Sequence, residues 1–147
     1  MALILSPPTT GGIRETDSFG SGHYRAPRGE RLHKGLDFLA AAGDPVSSPT
    51  DGVVRRIGWC YSDDLSYRLV EIETAEALVR VLYVKATVEK GDQVTMGDTI
   101  GRAQDVAARY DHGMKNHVHL EVRLRTALLG RGRKPGESVW VDPELFM

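Results

Sequence analysis

Aliphatic residues recur at every second position over 118–124, where Val118, Leu120, Val122 and Leu124 alternate with His119, Glu121 and Arg123. Successive side chains of a strand point to opposite faces, so this pattern predicts one buried face. His117, His119, Glu121, Arg123 and Arg125 line the other. On a helix the two histidines would diverge by about 200°; on a strand they stand side by side. Shorter alternations at Val70/Ile72 and Val79/Val81 extend the reading, and strands are predicted over 32–38, 52–59, 67–74, 78–84 and 118–124. Turn signals separate them at Asp51-Gly52, Gly91-Asp92 and Gly97-Asp98. The half-repeat KGDQVTMGDTIG reads as two short strands around a tight turn. Helix signals are poor: residues 103–110 make at most two turns and 143–146 a short terminal one. With 6–31 rich in proline and glycine, the chain is predicted to be mainly β, a small antiparallel sheet or β-sandwich-like domain behind a long N-terminal loop.

Composition narrows the class without changing that picture. At 147 residues, 41% hydrophobic and 27% charged, the chain has the length and apolar content for one ordinary core. A formal net charge of -1 gives no global reason to expect nucleic acid or a membrane surface as partner. Cys60 has no second cysteine to pair with and no Cys-x-x-Cys motif exists, so a bound metal would be held by nitrogen and oxygen. The apolar run from Ala2 to Leu5 is too short for a secretory leader and no stretch approaches a membrane span. Neither export by the usual route nor membrane insertion is therefore expected.

The stretch HKGLDF, residues 33–38, is the second informative one. His33 and Asp37 are four apart and share a strand face, with Gly35 between them offering no side chain to crowd an ion. Two such strands side by side bring His33, Asp37 and His119 towards one point. Two imidazoles and a carboxylate make an ordinary zinc set that leaves a fourth tetrahedral position for water. The plainer reading is that H-x-x-x-D and H-x-H arise by chance on strand surfaces, and spacing leaves both open.

The run HKGLDF, followed by AAAGDPVSSPTDGVV, then KGDQV, GDTIG and HVHLEV, resembles the lysostaphin/LytM-type zinc metallopeptidases over roughly residues 19–124. That resemblance implies a small antiparallel β domain with a substrate groove, preceded by an extension over 1–18 and occupying 19–147. It implies one Zn²⁺ per chain bound by His33, Asp37 and His119, with His117 catalytic. It also implies hydrolysis of peptide cross-links in bacterial peptidoglycan. A compact chain without a leader suits a phage-encoded lysin or a virion-associated enzyme.

One position departs from the family. A second catalytic histidine normally follows tyrosine in Tyr-x-His, whereas here Tyr83-Val84-Lys85 places a lysine. The stretches GHYRAPRGERLHKGLDFLAAAG, LYVKA and GMKNHVHLE resemble the chemotaxin-like branch of the family, which keeps the zinc ligands, carries lysine at this position and is regarded as non-enzymatic. A zinc-containing binding module is therefore the alternative function. A protonated Lys85 is no base, but its ammonium suits an oxyanion or a substrate carbonyl. His112, five residues before His117, is the candidate to replace the missing histidine, and His23 and Tyr24 are candidate substrate-binding residues. Each also reads as an ordinary exposed loop residue. Glu121 reads either as a general base or as a partner of the metal ligands. Trp59 and Tyr61 read as a stacking platform or as core-edge packing. The basic stretch 126–137 reads as a groove edge or a solvated loop.

Overall fold

The computed structural model describes residues 3–14, 22–23, 27–28, 31–32, 35–110, 113–125 and 138–147. Twelve strands occur among them: β1 (Pro27–Arg28), β2 (Arg31–Leu32), β3 (Gly35–Leu39), β4 (Pro45–Ser47), β5 (Gly52–Trp59), β6 (Arg68–Glu73), β7 (Ala77–Leu82), β8 (Val84–Ala86), β9 (Gln93–Val94), β10 (Thr99–Ala103), β11 (His117–Arg125) and β12 (Ser138–Val141). Every pairing is antiparallel. The main sheet runs β12-β11-β7-β6-β5-β9, with β3 paired to β11 beside β12. A second sheet runs β4-β10-β8, and β1 pairs only with β2. The mainly β expectation holds.

Alternation explains what lies inside. Val118, Leu120 and Val122 from β11 are fully buried with Val79 and Val81 from β7 and Val70 and Ile72 from β6, joined by Leu36 and Phe38 from β3. Leu3 and Leu5 of the N-terminal segment belong to this core. Leu5 N donates to Phe146 O at 2.8 Å, Ser47 N to Pro8 O at 2.8 Å and Leu39 N to Gly12 O at 2.8 Å. Residues 3–14 are thus a strap across the domain. This covering also buries His117 and His119, so both faces of β11 are closed at its N-terminal end, whereas Leu124 is only half-buried.

Two expectations are refined. The half-repeat does form two strands, but β9 pairs with β5 and β10 with β4 and β8. The turns beside them share one chemistry. Gly43, Gly91 and Gly97 have φ of +89°, +95° and +93°. The aspartate after each accepts from the backbone N–H three residues earlier: Ala41 to Asp44, Glu89 to Asp92 and Thr95 to Asp98, at 2.8–2.9 Å. Glycine supplies the positive φ at the third turn position, and aspartate locks the turn. The strand predicted over 78–84 ends instead at Leu82, because Tyr83 adopts φ +71° and sends the chain into the second sheet as β8. Both predicted helical stretches are short 3₁₀ turns, Val106–Tyr110 and Pro143–Phe146.

Gly35 is needed for close approach. A Cβ there would lie 2.0 Å from Leu120 O and 3.0 Å from His119 Nε2. Gly35→Ala is expected to force β3 off β11 and to cost about 3 kcal/mol or more, the upper end of overpacking. Thermal unfolding should show a loss on the order of 10 °C.

Candidate metal centre and catalytic site

Asp37 of β3 and His119 of β11 are direct cross-strand partners, and Leu39 opposes His117. Pairing therefore sets the site. His119 Nδ1 lies 2.7 Å from Asp37 Oδ1, and His119 Nε2 lies 3.0 Å from Glu121 Oε1. Glu121 thus holds one ring nitrogen and leaves the other aimed at Asp37, the arrangement in which an outer carboxylate orients a metal-binding imidazole. The remaining Asp37 oxygen, Oδ2, accepts from Arg14 Nη2 at 2.9 Å and Nε at 3.1 Å. Burial alone would push the His119 pKa down. The hydrogen bonds and charges of Asp37 and Glu121 overcome it and hold the pKa at about 9.

His117 is held in one orientation. Its Nδ1 lies 2.8 Å from Lys115 O, which fixes Nδ1 as the donor. Nε2 faces Asp37 Oδ2 at 3.5 Å. Burial lowers its pKa below the ordinary imidazole value against the opposing pull of Asp37, so the ring is neutral at pH 7. Asn116 braces this turn: its Nδ2 donates to Ala40 O and Gln104 O, each at 2.9 Å, and its Oδ1 accepts from Ala107 N at 3.0 Å. The Tyr83 ring meets His117 edge-on with centroids 5.6 Å apart. Tyr61 stacks on Tyr83 at 6.1 Å, and the Tyr61 hydroxyl lies 3.1 Å from the hydroxyls of both Tyr83 and Tyr110. A left-handed φ is unusual for so bulky a residue, and this packing holds Tyr83 in it.

A row of charges crosses the main sheet to reach the site. Arg56, Glu71, Arg80 and Glu121 occupy one register line on β5, β6, β7 and β11. Arg56 Nε contacts Glu71 Oε2 at 3.1 Å, Arg80 Nε contacts Glu71 Oε1 at 2.6 Å, and Arg80 Nη1 lies 3.9 Å from Glu121 Oε2. Signs alternate from Arg56 through Glu121.

Of the residues singled out from sequence, Asp37, His117 and His119 are brought together, with Glu121 beside them. His33, Tyr24 and His112 lie outside the described residues, as does the basic stretch 126–137. His23 is exposed. Lys85 is exposed on β8, and no described hydrogen bond or ion pair joins it to Asp37, His117 or His119. Trp59 is 55% exposed with the Arg68 guanidinium 4.8 Å from its ring centre, so core-edge packing describes Tyr61 and not Trp59. Burial pushes the Cys60 thiol up to about 11, which leaves it an inert side chain. Arg14, Asn116 and Tyr83 are the structural additions to the site. A cavity of about 710 Å³ lies between the strap and the turn before β11, with Pro8, Thr10, Leu39, Asp44 and Lys115 in its lining and none of Asp37, His117, His119 or Glu121.

The donor set suits a divalent cation. Asp37 Oδ1 and His119 Nδ1 face one another and each side chain's second polar atom is engaged elsewhere; the expected room for an ion at Gly35 is not there, because Leu120 O and His119 Nε2 fill that space. Among the described residues no three His, Cys, Asp or Glu side chains form a group that could hold a metal ion; the third ligand implied by the motif is His33.

A small antiparallel β domain carrying paired histidines and a buried aspartate on adjacent strands is the class that this geometry defines. The chain matches the profile of Peptidase family M23 over residues 31–133 and belongs to that family. It is 27% identical over 121 residues to leukocyte cell-derived chemotaxin-2 of Bos taurus, covering 82% of this chain and 79% of that protein. Csd3 of Helicobacter pylori superposes with a TM-score of 0.58 at 26% identity, covering 84% of this chain but 30% of Csd3. A zinc-containing peptidase from Vibrio cholerae gives a TM-score of 0.56 at 25% identity, covering 84% and 37%. The chain thus spans about a third of the length of these two structures.

Proposed function

We propose that the protein is a zinc-dependent metalloendopeptidase that hydrolyses peptide cross-links of bacterial peptidoglycan. The observation that carries this reading is the division of labour between two adjacent histidines. His119 is held between two carboxylates with Nδ1 directed inward, while neutral His117 points its free Nε2 at the same place. Zinc bound by His33, Asp37 and His119 would supply Lewis acidity at the scissile carbonyl. His117 Nε2 takes a proton from the attacking water and returns it to the leaving amine. Lys115 O stabilises the imidazolium formed between those steps by accepting from Nδ1–H. The concave, partly apolar cavity between the N-terminal strap and Lys115, the residue whose carbonyl holds His117, is the space we assign to the substrate peptide. His112 remains the candidate second base, and Lys85 and Tyr24 candidate substrate contacts.

The test is zinc-reconstituted full chain incubated with purified peptidoglycan. New amino groups should appear and their release should stop with a chelator. Zinc-loaded, folded protein that releases none from several wall types would overturn the peptidase reading. A second reading, a zinc-stabilised binding module, is supported by Lys85 in place of histidine and by the chemotaxin relative. It predicts peptidoglycan or protein binding with no new amino groups.

A further inference from the structure

Arg14 stands in none of the motifs, yet its side chain is wholly buried and both its hydrogen bonds to Asp37 go to the same oxygen. The backbone carries it there. Arg14 N donates to Asp37 O at 2.7 Å, Gly22 N to Arg14 O at 2.9 Å and Asp37 N to Gly22 O at 2.8 Å. Ile13 bridges to Phe38 one residue away. Asp37 is thereby divided, with Oδ2 committed to a permanent cation and Oδ1 left facing His119 Nδ1. On the far side of the imidazole the same division recurs at Glu121, where Oε1 meets His119 Nε2 and Oε2 faces Arg80.

We propose that Arg14, and more weakly Arg80 through Glu121, are resident counter-cations that keep the site folded without metal and loosen its hold on a divalent ion. The proposal rests on the zinc reading above. Arg14 already offsets Asp37, and Arg80, whose closer partner is Glu71 at 2.6 Å, offsets Glu121 only in part from 3.9 Å, so an incoming ion finds less uncompensated negative charge. Arg14 also draws electron density from the carboxylate that must bind it. A buried carboxylate stripped of its partner is strongly destabilising, which is why Arg14 matters most when metal is absent. The two effects have opposite signs in a variant that lacks the guanidinium charge, and a role in docking the strap alone would produce only the first.

Thermal unfolding and chelator-competition titration of the full chain separate the cases. Arg14→Gln should melt lower than wild type in chelator, gain more stability from saturating zinc, and bind zinc about tenfold more tightly, opposite in sign to the loss of affinity that follows removal of a partner that only orients a ligand. Arg14→Lys, which keeps the charge, should stay near wild-type affinity. Arg80→Gln, which removes the cation between Glu71 and Glu121, should tighten zinc to a smaller extent and keeps the question answerable should Arg14→Gln not fold. Equal or weaker zinc binding by folded Arg14→Gln, or by Arg80→Gln in its stead, would overturn the proposal. Wild-type protein that takes up no zinc would overturn the metal reading itself.

Discussion

His119→Ala is expected to remove stoichiometric zinc binding and to destabilise the metal-free protein by about 3–5 kcal/mol, the cost of leaving buried charges without their partner. Both effects come from one ring. Nδ1 is the inward donor, and the same imidazole, protonated, lies between Asp37 and Glu121 when metal is absent. Its pKa is about 9 in the folded chain against about 6.5 unfolded. The stability it contributes is therefore complete below about pH 6.5 and lost as pH rises through 9. Urea unfolding of chelated wild type should show that decline, and His119→Ala should flatten it. Zinc must displace the same proton, so its apparent affinity should climb with pH until about 9. Metal analysis of the purified variant checks the first claim; undiminished zinc content would contradict the ligand assignment.

Loss of His117 is expected to act on turnover rather than on metal. His117→Ala should lower kcat about 10²–10⁴-fold, the range for a positioned general base, with zinc content close to wild type. The pH profile provides the sign. His117 must be neutral to accept a proton, and burial holds its pKa below the ordinary imidazole value. Wild-type kcat should fall on acidification, with the limb centred below about pH 6.5. Single-turnover rates across pH 4.5–8 would reveal it, and an unchanged acid limb in His117→Ala would assign the titration to another group. Tyr83 and Asn116 bear on the same result, because the ring of one and the hydrogen bonds of the other determine where Nε2 points.

The sequence made β11 readable because its information is local and periodic. Alternating aliphatics put His117 and His119 on one face, whereas the glycine in HKGLDF, expected to leave room for an ion, instead lets β3 approach Leu120 closely. β3, β5, β6, β7 and β11 were legible from runs of this kind, whereas β10, as long as β3, was read only as part of the half-repeat. Two- and three-residue strands such as β4, β8 and β9 carry no period to detect, and a Gly-Asp turn does not say which strands it will join. Tyr83 is a tyrosine in a position that sequence alone would assign to glycine or asparagine, so the crossing between sheets was invisible. Arg14 was missed because its partner is 23 residues away across the N-terminal loop. Asn116 sits next to the motif, but its worth lies in three backbone groups from two other segments.

The strand that organises the site is the eleventh of the twelve described strands in chain order. β11 joins β3, β7 and β12, and Leu5 of the strap hydrogen-bonds to Phe146. On the ribosome, β3 and β7 must wait with open edges until roughly residue 125 emerges. The domain then closes through long-range contacts, the topology that makes for slow folding. Its vulnerable interval during biosynthesis is that wait, when two hydrophobic edges are held apart by a partner not yet made.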